Sequence, residues 1–412
     1  MHKLMIIGAG IGQVPLLKKA QKRGIHTTVV SPDGNYPCLK MADAVFFRDI
    51  YDKEAIVDYA RKNGITAVTS DQNDLMMPTV AYVSEKLHLP GNRQEQVLSY
   101  CNKSRFRKNC RTVGIPVPKN STVSMPAIPE DLKETPFPWI VKPEDSQSSI
   151  GITKVYNLEG VFPAIQLALS KSRNNRVIVE EFFTGHEIVC EGFIYHGKYH
   201  LLAFADREYF HLDGKMIPCQ TVFPSVLPQQ ILNKIVGYET DMAAMVNPDF
   251  AIVHAEYLVN VDNEEIRCVE SALRGGGVYI SSHLIPAATG IDINDLLLDC
   301  VLGIEENVDA VLSRNDNKSS AYICFSLPDG VIEKVQGIEE LKSLPYIPLM
   351  KLDNLVVGRE CHKLTYKGDR HGPILVVAND LSQLNERIEH IKNTLHVSVR
   401  TSDGTQGEIF WE

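Results

Sequence analysis

Along the first hundred positions, short apolar runs alternate with stretches of helical period. KLMIIGA (residues 3–9) reads as a buried strand closed by a glycine turn, followed by a helix from about Val14 to Arg23. HTTVVSPD and DAVFFRD read as strands, and AIVDYARKNG as a helix. ITAVTSDQND is a strand ending in acidic and amide residues, and MPTVAYVSEKLHL a helix stopped by Pro90-Gly91. This rhythm predicts a doubly wound parallel sheet over 1–97. A second unit, 98–312, follows. A helix is predicted over 94–113, ended by Gly114-Ile-Pro116-Val-Pro118. Strands dominate 138–270, interrupted by a helical stretch at 159–172. Ser313–Ser320 is polar and turn-rich, a predicted linker. The tail, 321–412, reads as α+β, with strands near 321–326, 331–336, 354–357 and 374–378 and a helix near 382–394. The fold class predicted for the whole chain is α/β and α+β.

The segments AIVHAEYLV and IRCVES are rich in β-branched and aromatic residues, and Asp262-Asn263-Glu264-Glu265 between them is a polar turn. A hairpin symmetric about Asn263 sets Glu256 opposite Glu270, with Cβ atoms about 5 Å apart. Two carboxylates that close repel, and a hard divalent cation relieves the conflict; oxygen-only ligands favour magnesium over zinc. Arg274 has the parity of Glu270 and shares that face. An exposed acidic hairpin without a ligand is the competing reading.

Upstream lie further candidates. Lys142-Pro-Glu-Asp-Ser146-Gln-Ser148-Ser149-Ile-Gly151 is a lysine followed by a loop of small residues, where backbone N–H groups can approach a phosphate. A solvated serine loop is the alternative. In Val177-Ile-Val-Glu180-Glu181-Phe182-Phe183-Thr-Gly185-His-Glu187 a strand edge meets aromatic rings, as adenine recognition requires, and Glu187 can accept from ribose hydroxyls; paired surface acids are the alternative. Lys103 lies in a basic run that by itself reads as a solvated helix face. Gly8-Ala-Gly10-Ile-Gly12-Gln13 departs from the dinucleotide fingerprint, with glutamine where a third glycine is needed.

Charge and cysteine usage narrow the partners. A net charge of −9 argues against nucleic acid or an anionic membrane. Nine scattered cysteines, without CxxC pairs, predict no disulfide framework or zinc knuckle. With no apolar run approaching about 18 residues and no signal peptide, the expectation is a soluble, cytoplasmic protein.

Taken in order, these residues resemble the ATP-grasp superfamily of carboxylate–amine ligases. The resemblance covers roughly residues 1–310, and the tail is more loosely similar to the C-terminal domain of L-amino-acid ligases. It implies a pre-ATP-grasp domain (1–97), a two-lobed ATP-grasp domain (98–312) and a small C-terminal domain. It implies ATP on Lys103, Lys142, Ser149, Gly151, Glu180, Glu181, Phe183 and Glu187, Mg2+ on Glu256 and Glu270, and Arg274 as the catalytic arginine. The implied substrates are a small-molecule carboxylate and an amine, joined through an acyl phosphate, and the assembly named as an expectation is a homodimer. Family members carry Glu-x-Asn before the arginine. Here Ala272 stands at the asparagine position, so one magnesium site is expected and a second is weak. A bicarbonate-using carboxylase, a nucleotide-binding module without ligase activity and an NAD(P) oxidoreductase are the alternatives.

Overall fold

The computed structural model describes residues 2–145, 150–212 and 216–412. The first unit is a parallel sheet of β1 (Lys3–Ile7), β2 (His26–Ser31), β3 (Ala44–Phe47) and β4 (Ala67–Thr69), in the order β3-β2-β1-β4. Side chains alternate across β1. Leu4 and Ile6 face one core with α1 (Val14–Lys22), while Met5 and Ile7 face another with α2 (Lys53–Asn63) and α3 (Met77–Leu87). Helices on both faces are what the doubly wound reading requires. The glycine turn after β1 is closed by its own chain. Gln13 is buried, accepts from Gly10 N and donates to Asp71 O, so it fills the place of the missing third glycine.

The helix predicted over 94–113 is two helices, α4 (Gln94–Cys101) and α5 (Lys103–Thr112). Asn102 between them is extended, and its side chain caps α5 by accepting from Arg105 N. That local hydrogen bond breaks the helical run and puts Lys103 at the N-terminus of α5.

A four-stranded antiparallel lobe follows: β5 (Asn120–Val123), β6 (Trp139–Pro143), β7 (Thr153–Val155) and β8 (Val177–Glu181), ordered β5-β8-β6-β7. Helix α6 (Leu158–Lys171) covers it, burying Val161, Ile165 and Ala168 against Trp139 and Val179.

The larger lobe is built on β9 (His186–Tyr195), β10 (Lys198–Tyr209), β11 (Pro218–Phe223), β12 (Phe250–Asn260) and β13 (Glu265–Ala272). Between β11 and β12 runs α7 (Gln229–Val246), which the strand-dominated reading of 138–270 missed. Its apolar stripe, Ile231, Leu232, Ile235, Met242 and Ala243, has helical spacing and packs on the sheet. After β13 come α8 (Ile285–Thr289), α9 (Ile293–Val301) and α10 (Val308–Leu312). From the tail, β14 (Ser319–Phe325) and β17 (His371–Ala378) extend the same sheet, in the order β13-β12-β9-β10-β11-β14-β17. The tail's remaining elements are β15 (Gly330–Gln336), α11 (Ile338–Lys342), β16 (Glu360–Cys361), α12 (Leu381–Thr394), β18 (His396–Thr401) and β19 (Gln406–Gly407). The strand predicted near 354–357 is absent. That segment is turns, with Val356 and Val357 exposed and the Asn354 amide hydrogen-bonded to His371. All nine cysteines are free thiols. Among the described residues no helix is long and apolar enough to cross a membrane.

One buried acid lies beneath the sheet. Glu239 of α7 accepts from Tyr257 Oη (2.5 Å) and Ser271 Oγ (3.0 Å), the neighbours of Glu256 and Glu270. Burial pushes its carboxyl up to about 7. Below its unfolded value near 4.5 the acid is protonated folded or unfolded. As pH rises from there to about 7, only the unfolded chain releases the proton, so stability falls, by roughly 3 kcal/mol in all. Glu239→Gln is therefore expected to raise the unfolding midpoint relative to wild type at pH 8, with the difference shrinking toward pH 5. A gap independent of pH in thermal melts would contradict this.

Candidate active site

The two acids of the β12–β13 hairpin do face each other, but by a different route from a symmetric turn. On the turn side the register runs from Asn260↔Glu265 to Tyr257↔Cys268. Continued unbroken, it would set Glu256 against Val269 and send Glu270 to the opposite face. A bulge at Val269 shifts the register by one, and Glu256 pairs with Glu270. The next pair on this face is His254 with Ala272.

Glu256 is embedded in a charged row. Its Oε1 lies 2.5 Å from Arg207 Nη1 and 3.2 Å from His254 Nε2. His254 Nδ1 is bonded to the buried Glu191, which makes His254 a satisfied strand histidine rather than an open ligand. Arg207 Nη1 also donates to Glu187 Oε1 at 2.7 Å, and Tyr209 Oη donates to the other Glu187 oxygen. Burial would raise Glu256, but Arg207 and His254 outweigh it and hold the carboxyl well below the usual range. For Glu187 burial wins over Arg207, and its carboxyl is pushed up. Gly276 lies against this row, since a Cβ there would come within 2.5 Å of Glu191 Oε1 and 2.9 Å of His254 Nδ1.

Arg274 is braced by the N-terminal unit. Nε and Nη2 reach the two Asp74 oxygens at 3.1 and 3.0 Å, a bidentate pair. Nη2 is 3.9 Å from Glu270 Oε1. Burial opposes its charge, and Asp74 and Glu270 more than compensate, so Arg274 stays ionised. Asp71, three residues before Asp74, is buried and accepts from Gly275 N, Ser281 Oγ and Asn294 Nδ2. These bonds hold the glycine run in place. Beyond it Val278 and Tyr279 both adopt left-handed backbone (φ 54° and 63°), strained conformations of a kind that clusters at functional sites.

The proposed nucleotide residues divide. Glu180 is buried, with Oε1 2.6 Å from Arg107 Nε and Oε2 2.5 Å from Lys142 Nζ. Burial alone would raise its carboxyl, but the two cations hold it at about 2. Its side chain is thus committed to the core, and the strand edge expected for a base is taken at this position, where β8 pairs with β5 on one side and β6 on the other. Burial draws the Lys142 ammonium down, partly offset by Glu180. Glu181 accepts from Lys119 N and lies 3.6 Å from Arg267 Nε, whose guanidinium stacks 4.8 Å over Phe183. Lys103 Nζ is 3.5 Å from Glu144 O. Ser149 lies outside the described residues, with Ser146 and Ser148. Gly151 has φ +75°, and a Cβ would meet Pro143 at 2.9 Å, so glycine is required at the end of that loop.

A cavity of about 240 Å3 opens between the units, lined among others by Tyr51, Asp74, Lys103, Arg107, Arg173 and Glu270. Arg107, among its lining residues, ties Glu180 to the hairpin backbone. Besides Glu180, it donates from Nη2 to Val269 O at 2.7 Å, the carbonyl of the bulge. Sequence reasoning passed over Arg107, Asp74 and Glu191. Arg107 had one visible signal, a charge beside the buried Phe106 and Cys110 on α5. Asp74 follows the end of β4, where open α/β sheets place ligands. Among the described residues no group of three or more His, Cys, Asp or Glu is arranged to hold a metal. The Glu256–Glu270 pair still fits magnesium, which is commonly held by one or two carboxylates with phosphates and water completing its shell.

A family model described as "D-ala D-ala ligase C-terminus" matches residues 110–209. A D-alanine–D-alanine ligase of Parabacteroides distasonis is 26% identical over 40% of this chain and 51% of that protein. The chain thus spans about half the length of that relative. A formate-dependent phosphoribosylglycinamide formyltransferase of Sulfurisphaera tokodaii is 22% identical over 93% of this chain and 94% of that protein. Among solved structures, an L-amino acid ligase from Bacillus licheniformis superposes with a TM-score of 0.79 at 20% identity, covering 96% of this chain and 98% of that one. The chain has the ATP-grasp fold. Within it, the lobe of β5–β8 and the lobe carrying the hairpin face each other across the cavity that Lys103 and Glu270 line.

The bulge makes Arg107 a critical residue. Arg107→Met would strand the buried Glu180 beside Lys142 alone and leave Val269 O without its donor. The expected cost is about 3–5 kcal/mol of stability, read by chemical denaturation. A loss under about 1 kcal/mol, within the range of a surface pair, would contradict this.

Proposed function

We propose that this protein is an ATP-dependent ligase that joins a small-molecule carboxylate to an amine through an acyl phosphate, releasing ADP and phosphate. The observation that carries the proposal is the pairing of Glu256 with Glu270 on one sheet face, with Arg274 beside Glu270 and Glu187 two residues along the neighbouring strand from Val189, the partner of Glu256. The matched D-alanine–D-alanine ligase and L-amino acid ligase support amino-acid-type substrates. The reading places the reaction in the cytoplasm, with no nucleic-acid partner.

Phosphoryl transfer needs in-line positioning and charge neutralisation more than a protein nucleophile. Lys103 and Lys142 would hold the phosphates, with Lys142 exchanging Glu180 for an anionic ligand. Glu187 would take the ribose hydroxyls. Glu256 and Glu270 would hold one magnesium ion, which would supply charge neutralisation at the transferred phosphoryl group. Ala272 offers no oxygen, so the proposal assigns the protein one ion. Arg274, braced by Asp74, needs no reorganisation to grip developing negative charge, the condition under which such a donor is most effective. The run 275–279, strained at Val278 and Tyr279, would border the acid to be activated, with backbone N–H groups close by.

Arg274→Ala is expected to lower kcat by about 10²–10³ while ATP binding persists. Wild-type-like turnover would sink the assignment. Glu187→Ala is expected to weaken ATP binding with little effect on the rate at saturation, as measured by titration calorimetry. The reaction class is tested by ADP release with paired amino acids, sugar acids and bicarbonate. Release that needs both an acid and an amine supports the ligase. Release with bicarbonate alone supports a carboxylase, and tight ATP binding without turnover supports a binding module.

A further inference from the structure

We propose that Arg207 is a resident cation held between the nucleotide acid and the metal acid, so that a divalent ion binds Glu256 effectively only together with nucleotide. The inference rests on reading Glu187 and Glu256 as those two acids. One nitrogen, Nη1, serves both: it lies 2.7 Å from Glu187 Oε1 and 2.5 Å from Glu256 Oε1. All three side chains are largely buried, so the guanidinium neutralises two acids that would otherwise repel. Glu256 Oε1 carries a second donor in His254 Nε2, which leaves this oxygen doubly engaged before any metal arrives.

The far edge of the guanidinium is not tied down. Arg207 Nε is buried and without a hydrogen-bond partner. Directly across the sheet from Arg207 on β11, Thr221 has a buried hydroxyl that also lacks a partner. A fully built structural ion pair would satisfy both atoms. Two buried orphans side by side instead leave Arg207 a second place to bond once its acids are taken. A metal alone competes with Arg207 for Glu256 while the guanidinium stays anchored on Glu187. Ribose hydroxyls alone compete for Glu187 while it stays anchored on Glu256. Nucleotide and metal together remove both anchors. Their binding is thereby coupled, and the coupling is reciprocal.

The test uses Mn2+ as the probe, with the free ion counted by electron paramagnetic resonance, on the full chain with and without ADP. In wild type, ADP is expected to tighten Mn2+ binding about tenfold or more. Arg207→Met is expected to bind Mn2+ without nucleotide about tenfold or more tightly than wild type, with little further gain from ADP. Arg207→Lys, which keeps the charge, should stay near wild type. A merely structural role would weaken metal binding on substitution, never strengthen it. Should Arg207→Met fold poorly, Arg207→Gln replaces it, and the Mn2+-induced rise in unfolding midpoint gives the same comparison. Nucleotide-free Mn2+ affinity no higher in the neutral variants than in wild type overturns the proposal. Absence of Mn2+ binding in every protein, even with ADP, overturns it through the metal-acid reading on which it rests.

Discussion

Arg107 holds the rest of the site together. A guanidinium buried among Phe106, Glu180 and the β13 backbone is costly unless its donors are met. Here it is met by a carboxylate on β8 and by the carbonyl of Val269. The first bond fixes β8 and draws in Lys142. The second stabilises the bulge that turns Glu270 toward Glu256. One side chain from α5 thus sets the geometry of both lobes' contributions, Lys142 on one side and the paired acids on the other.

A second tie runs from the N-terminal unit. Asp71 and Asp74 follow the end of β4, and their partners lie about two hundred residues downstream. Asp74 orients Arg274, and Asp71 holds Gly275, Ser281 and Asn294. The parallel sheet, whose own glycine loop is filled by Gln13, therefore acts here as a brace for Arg274 and the glycine run. That role accounts for the carboxylates of Asp71 and Asp74 after the end of β4.

Much of this was legible from residue order. The βα rhythm of 1–97 has one periodicity per element, and the Glu256–Glu270 pairing followed from two β-rich segments around a polar turn. The bulge was not legible, because its cause is a hydrogen bond from Arg107, 162 residues away. The symmetric-turn assumption reached the right pair through an offset that the bulge supplies. Helix α7 was missed although its apolar spacing is helical, since strands on both sides dominated the reading. The strand expected near 354–357 failed because Val356 and Val357 have no sheet partner and face solvent. Glu180 showed the limit of motif transfer. Its position fits the nucleotide motif, but its side chain belongs to the core. From sequence, Arg207 is expected with Gly275–Gly277 at the border of the acceptor side, and its place between two acids depends on register across β12, β9 and β10.

Transfer of oxygen from the acid to phosphate tests the central claim most directly. The acid that elicits amine-dependent ADP release is prepared with 18O in its carboxylate, and the inorganic phosphate is analysed by mass spectrometry. An acyl-phosphate route predicts one 18O atom in each phosphate formed. Unlabelled phosphate, with ADP produced at the same rate, would contradict carboxylate activation and with it the ligase account.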